Sequence, residues 1–491
     1  MKKNIKYIII FCVIAVILAG LLVALKLTAP ADEEENESET DNAVQTSLLY
    51  DKNPHDISKL EISNEHGDYE VVRAGEGDDA VWTIVELANL PMSSASMGNL
   101  LENAASVTAQ QTVIDSADDL SADLSIYGLA EPLSTVTATF SDSGNTVKKL
   151  FIGNLTPSGT MHYAMVEGDP KVYTILNSKV NCFLENKYYV LNKTIYTVRS
   201  AADENDTTDY TRINKMTITR SDLDYDFVIE YDVRQDDDSI MIANSSGYVI
   251  TSPIFRELNP ETSAAVMDGI FGLTAYDFGI LNPNEEDFAG CGITEPAAEV
   301  LFEINGGDAI HITIGNECFD EDGTKLGRYV YVDGAAIIYV FEESSLPWLN
   351  VSPLDICTTM FTSNYIYDVK SIDISGGADM SFTLTGGSDD FAVKLNGNDA
   401  DAEKFKTLYQ FLLKAPSDEL YFEETDTEPT VSISIKTDSG EDLIEFIPSD
   451  GRKAIIRLNG KVTYKCASAY VDRLMSNLEL YRNGGDIISS W

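Results

Sequence analysis

Basic residues are scarce in this chain of 491 residues: 34 Lys and Arg stand against 80 Asp and Glu, for a formal net charge of −46. A surface so acidic repels phosphate backbones, which excludes a nucleic acid as partner. Histidine is rarer still, with only His55, His66, His162 and His311, none of them paired at metal-ligand spacing. That favours surface or hairpin histidines over metal ligands. Cysteine is also sparse: beyond Cys12 there are Cys182, Cys291, Cys318, Cys357 and Cys466, an odd number without close pairs. Such a set is a poor disulfide framework, and mostly free thiols are expected. The sequence has no G-x-S-x-G elbow, G-x-x-x-x-G-K loop or H-E-x-x-H helix, which removes the usual routes to a hydrolase, an NTPase or a zinc protease. Acids are so abundant that no catalytic carboxylate pair can be singled out. The expectation is a non-enzyme with no catalytic, cofactor-binding or metal residues and no cofactor.

Apolar material is plentiful. Forty-four per cent of residues are hydrophobic, including 24 Tyr and 19 Phe, enough for packed cores, and the length suggests about three domains. Residues 7–25 form an uncharged run of 19, close to the thickness of a hydrocarbon core. Lys2, Lys3 and Lys6 precede it. The expectation is a cytoplasmic tail over residues 1–6, a transmembrane anchor over 7–25 and a single-pass protein of the cell membrane whose ectodomain is extracytoplasmic. A cleaved signal peptide is the competing reading, since Ala29-Pro30-Ala31 loosely fits a cleavage site. The apolar run exceeds a usual signal core, so the retained anchor is preferred. Seven of the ten residues 32–41 are acidic, and residues 26–54 read as an extended acidic tether.

Three degenerate copies of one pattern follow, over residues 55–200, 209–361 and 365–491. Their marker is Glu131-Pro132, Glu295-Pro296 and Glu428-Pro429, each opening an apolar alternation. From that Glu to the Ile of Ile152-Gly153-Asn154, Ile314-Gly315-Asn316 and Ile447-Pro448-Ser449 the spacings are 21, 19 and 19 residues. Proline fixes φ and cannot donate, so the marker reads as strand entry and not as a binding site. Each copy opens on a short alternation, at Leu60 and Ile62, Met216 and Ile218, and Ile372 and Ile374. Each then carries one helical stripe: Met97, Leu100, Leu101 and Ala104; Ala264, Met267, Ile270 and Phe271 behind Asn259-Pro260; Phe405, Leu408, Tyr409 and Leu412. A short closing helix is expected at Val471, Leu474, Met475 and Leu478. These elements predict an α+β fold of tandem modules, antiparallel sheet covered by helices. Variable hairpin tips sit on this constant frame, and tips are where specialisation is expected.

The acidic tip Asp320-Glu321-Asp322-Gly323 has part of a calcium-loop pattern, but Cys318 and Tyr329 stand where the first and last oxygen ligands would be. A solvated turn is favoured there, and a charged loop at Asp236-Asp237-Asp238.

Tyr127-Gly128-Leu129-Ala130-Glu131-Pro132, followed by Phe151-Ile152-Gly153-Asn154, Tyr163-Ala164 and Val172-Tyr173, resembles the repeated extracytoplasmic module known as domain of unknown function 4340. Copy two keeps the pattern as Cys291-Gly292-Ile293-Thr294-Glu295-Pro296. Copy three lacks the aromatic-Gly-aliphatic stretch. The resemblance implies a membrane-anchored bacterial protein often encoded beside ABC transporter permeases, and no catalytic residues. The expected role is therefore a binding or accessory component of an envelope transport complex, with the membrane and a transporter permease or envelope protein as partners. The alternative is a structural or adhesive surface protein that binds wall polymer or cations.

Overall fold

The structure, a computed structural model, describes residues 46–75, 80–115, 124–236, 246–362, 364–377, 379–414 and 418–491. Two expectations are corrected at once. Among the described residues no helix is long and apolar enough to cross a membrane, and the 7–25 run lies outside the described residues, as does the acidic run 32–41. The single-pass anchor and the membrane location are therefore withdrawn. The fold class is also not α+β: antiparallel sheet dominates, and the four longest helices have only 12, 9, 12 and 15 residues. The helical stripes are real, but each closes in two to four turns, while the alternating runs extend into many strands.

The chain divides into two compact units, the first comprising the described part of Met1–Asp56 with Glu102–Leu184 and the second Ile57–Leu101 with Glu185–Trp491. In the first, strand Ser47–Asp51 pairs with Ser106–Ala109, so the expected tether 26–54 ends in a strand. Leu48, Leu49 and Tyr50 supply its apolar character, and Tyr50 is buried. The strands Ser134–Phe140, Val147–Leu155, Met161–Val166 and Val172–Leu176 then form a meander, with Gln111–Ile114 on the last. Strict alternation places Val136, Ala138 and Phe140 inside.

The second unit holds the meander Ile57–Asn64, Gly67–Ala74 and Val81–Ile84 and two complete nine-stranded sheets in the same strand order. Strands enter two residues beyond each marker proline, at Ser134, Ala298 and Val431, as the fixed φ of proline requires. The turn Asn459-Gly460 joins Lys453–Leu458 to Lys461–Ala467 with φ of 49° and 83°. Those values are a type I′ hairpin, for which Asn-Gly is the preferred pair.

Helix Ser94–Ala105 buries Met97, Leu100, Leu101 and Ala104. Helix Ala402–Leu413 buries Phe405, Leu408, Tyr409 and Leu412, and the Phe405 ring lies 4.8 Å from Phe382 of the sheet. Helix Ser468–Arg482 lies beside it, with Tyr470 stacked on Phe411 at 5.0 Å. The middle stripe is shifted. Helix Pro260–Asp268 is capped by Asn259, which accepts from the amides of Glu261 and Thr262, but its buried face is Ser263, Val266 and Met267 continuing to Ile270, with Ala264 exposed. Trp348 fixes that rotation: its indole donates to the Val266 carbonyl at 3.0 Å and its ring meets Phe302 of the sheet at 5.3 Å.

Candidate functional site

The marked sequence motif turns out to be one built object in two pieces. In the first copy the Tyr127-Gly128 turn lies directly over Gly153: a Cβ at residue 153 would sit 2.2 Å from the Tyr127 carbonyl oxygen, and one at residue 128 would strike the Asn154 side chain. Copy two repeats this, with 2.1 Å from residue 315 to the Cys291 carbonyl and Gly292 against Asn316. Gly128 and Gly292 also have φ of 66° and 72°, a left-handed conformation that glycine adopts without cost. Both glycines of each pair are thus demanded by close approach. The carbonyl behind the contact needs a donor, and the two copies provide different ones. His162 Nδ1 meets the Gly153 carbonyl at 2.8 Å in copy one. Since a carbonyl only accepts, that nitrogen carries the proton. In copy two Arg328 donates to the Gly315 carbonyl at 3.0 Å. His162 is therefore a buried structural donor beside a hairpin tip and not at the surface, whereas His55 and His66 are exposed and His311 bonds Asp333 at 2.9 Å.

Copy three resolves differently from the expected alignment. Ser134 pairs with Ile152 and Ala298 with Ile314, but Val431 pairs with Phe446. Register thus puts Ile447, not Pro448, at the glycine place. Ile447 is fully buried with Ile455 and Val462, and Tyr421 packs against them. An apolar side chain fills the space that a glycine-hinged turn fills elsewhere, so both halves of the motif are lost together.

The remaining candidates are ordinary structure. The Asp320 carboxylate accepts from the backbone amides of Asp322 and Thr324 at its hairpin tip. Among the described residues no cluster of three or more His, Cys, Asp or Glu could hold a metal ion. Asp236 accepts from the Tyr231 hydroxyl at 2.8 Å, while Asp237 and Asp238 lie outside the described residues. All five described cysteines are free and buried, and burial pushes the Cys182 thiol up to about 11 and that of Cys466 to about 12.

What sequence reasoning missed is a cavity of about 340 Å³ where copies two and three meet, within the ~300–1,000 Å³ range of small-molecule sites. Strand Arg256–Glu257 at the edge of the second sheet supplies Arg256, of which only 2% is exposed. Its guanidinium donates to the Tyr464 hydroxyl at 3.0 Å and to the Thr358 carbonyl, and it lies 5.3 Å from the centre of the Tyr464 ring. Its Nε has no partner, and among the described residues it forms no salt bridge. Taking a guanidinium out of water costs roughly several kcal/mol, which neutral acceptors and a ring face offset only in part. Arg234 is by contrast satisfied, gripping Asp232 at 2.7 and 2.8 Å and Glu257 at 3.1 Å. On the other side of the cavity Asp442 is held by Thr362 and Asn364 at 2.9 and 2.8 Å and by Asn459 at 3.2 Å. Exposed Lys461 and the half-open apolar side chains of Phe255 and Met360 also line it. No single motif marks this place, because its residues lie 208 positions apart in sequence, as Arg256 and Tyr464 do.

Residues 82–296 match the family model described as a domain of unknown function (DUF4340). That span runs from the third strand of copy one to the marker proline of copy two and contains both glycine-hinged turns. The resemblance seen in the sequence is thereby shown for it. No curated protein and no solved structure matches the chain.

Proposed function

We propose that this chain is a non-catalytic binding protein that serves as an accessory component of an ABC-type transport complex. The observation that carries the binding role is the contrast between frame and tips. The hairpin tip that follows the Ile-Gly-Asn strand is neutral in copy one, at Thr156-Pro157-Ser158-Gly159, acidic in copy two, at Asp320-Glu321-Asp322-Gly323, and mixed in copy three, at Ser449-Asp450-Gly451-Arg452. Pro157 to Gly159, the whole acidic tip and Asp450 to Arg452 are exposed. Three chemically different tips on one sheet pattern suit recognition of several surfaces of a partner. The transport assignment is supported by the family matched over residues 82–296 together with the gene neighbourhood that this resemblance implies.

The test is cross-linking in cells followed by identification of the attached proteins, comparing the native chain with one in which Asp320, Glu321 and Asp322 are replaced by Ser. An ATPase and permease pair recovered with the native chain and reduced with the variant is the expected result. Recovery of wall polymer in place of a transporter would overturn the assignment.

A further inference from the structure

We infer that the cavity between copies two and three binds a small organic anion, whose acidic head faces Arg256 and Lys461 and whose ring or chain lies against Phe255 and Met360.

Four features converge on this chemistry. Arg256 is almost wholly buried, lines the cavity and forms no ion pair among the described residues, its contacts being the Tyr464 hydroxyl, the Thr358 carbonyl and an aromatic face. A guanidinium is a planar fork suited to a carboxylate or phosphate head. The Lys461 side chain, in the hairpin strand that carries Tyr464, forms no hydrogen bond or ion pair among the described residues and lines the same cavity. The nearby acid Asp442 is occupied by three donors, Thr362, Asn364 and Asn459, and Glu257 is engaged with Arg234. These two carboxylates are thus anchored by other partners, and among the described residues neither forms an ion pair with Arg256 or Lys461. Finally, Phe255 is 57% and Met360 37% exposed, an apolar pair at the lining that an inorganic ion would leave bare. In a chain of net charge −46 such a local excess of positive charge stands against the general field, and a buried cation strengthens its pull on an anion by excluding water.

The inference does not depend on the transport role, and its test separates the two. Isothermal titration of the full chain uses three probes: benzoate, which has ring and charge; benzamide, which has the ring alone; and inorganic phosphate, which has the charge alone. Saturable benzoate binding at least tenfold tighter than either of the other two is expected. Lys461→Gln weakens benzoate by about threefold or more, and Phe255→Ser does likewise. Arg256→Met abolishes binding. Should Arg256→Met fail to fold, the Lys461 and Phe255 variants, both at exposed positions, decide the matter. Benzamide binding as well as benzoate would overturn the anionic head, and phosphate binding more tightly than benzoate would overturn the organic body. Absence of saturable binding by any probe, or benzoate affinity unchanged in Lys461→Gln, would overturn the site.

Discussion

At the scale of single residues, the two glycine contacts under the marker turns make a strict demand. With backbone oxygens 2.2 and 2.1 Å from the missing Cβ, Gly153→Ala and Gly315→Ala should each destabilise by about 1–3 kcal/mol, since the turn above must move. Urea melts of the two variants check this, and a neutral alanine would mean that the turn is not held against the strand. The same place in copy three makes the opposite prediction: Ile447→Ala should cost about 2–5 kcal/mol, because there the side chain itself fills the space. Acid sensitivity also lives at single residues. Lys52 and Thr146 hold the Asp142 carboxyl below its usual range, the amide of Ala202 and the Tyr210 hydroxyl do so for Asp206, and Lys325 and Arg328 for Glu343. A carboxyl depressed in the folded state contributes stability above its unfolded value, near pH 4, and loses it as pH falls through the folded one. The thermal midpoint should therefore hold steady from about pH 8 to about pH 5 and decline below about pH 4, and Asp142→Asn should flatten that decline. The motif residues were legible in the sequence because close approach demands a specific residue type. Their partners were not, since His162 and Arg328 satisfy equivalent carbonyls with unlike side chains, and a buried carbonyl asks only for a donor.

At the scale of elements, the helices show where periodicity succeeds and where it slips. In Ser94–Ala105 and Ala402–Leu413 the expected stripe is the buried face, because several large apolar residues leave one solution. In Pro260–Asp268 the small residues Ala264 and Ala265 fit either side, and the Trp348 hydrogen bond to Val266 turns the helix by one position. Ala264→Asp should then change stability by no more than about 0.5 kcal/mol, whereas Val266→Ala should cost about 1–3 kcal/mol. Denaturant midpoints of the pair distinguish this face from the one expected from the sequence, which requires the reverse order. Strand entry was legible from proline. The register of copy three was not, since Phe446 and Ile447 are both large and apolar and only pairing with Val431 decides between them.

At the scale of the whole molecule, copies two and three are joined by more than a linker. Residues 362–364 lie between copies two and three as the sequence divides them, yet Thr362 and Asn364 both bond Asp442, the Phe361 amide donates to the Leu413 carbonyl at 2.7 Å, and the Phe361 ring meets Phe446 at 6.1 Å. Amide exchange followed by mass spectrometry should therefore show strands of the second and third sheets losing protection together, and not as two separate steps. Protection lost first from one sheet alone would mean that the junction is weaker than either core. No composition or spacing announces such a junction, because it depends on two surfaces that are remote in the chain. Three of the four outermost strands of the two nine-stranded sheets are stubs: Arg256–Glu257, Asn398–Ala400 and Glu419–Leu420 have two, three and two residues, while the fourth, Asp277–Leu281, has five. A stub that short offers a neighbouring chain almost no ladder on which to template. Combined with the mutual repulsion of heavily anionic copies, it should help a protein whose described part is dominated by sheet remain dispersed at high concentration, the main hazard being salt that screens the charge.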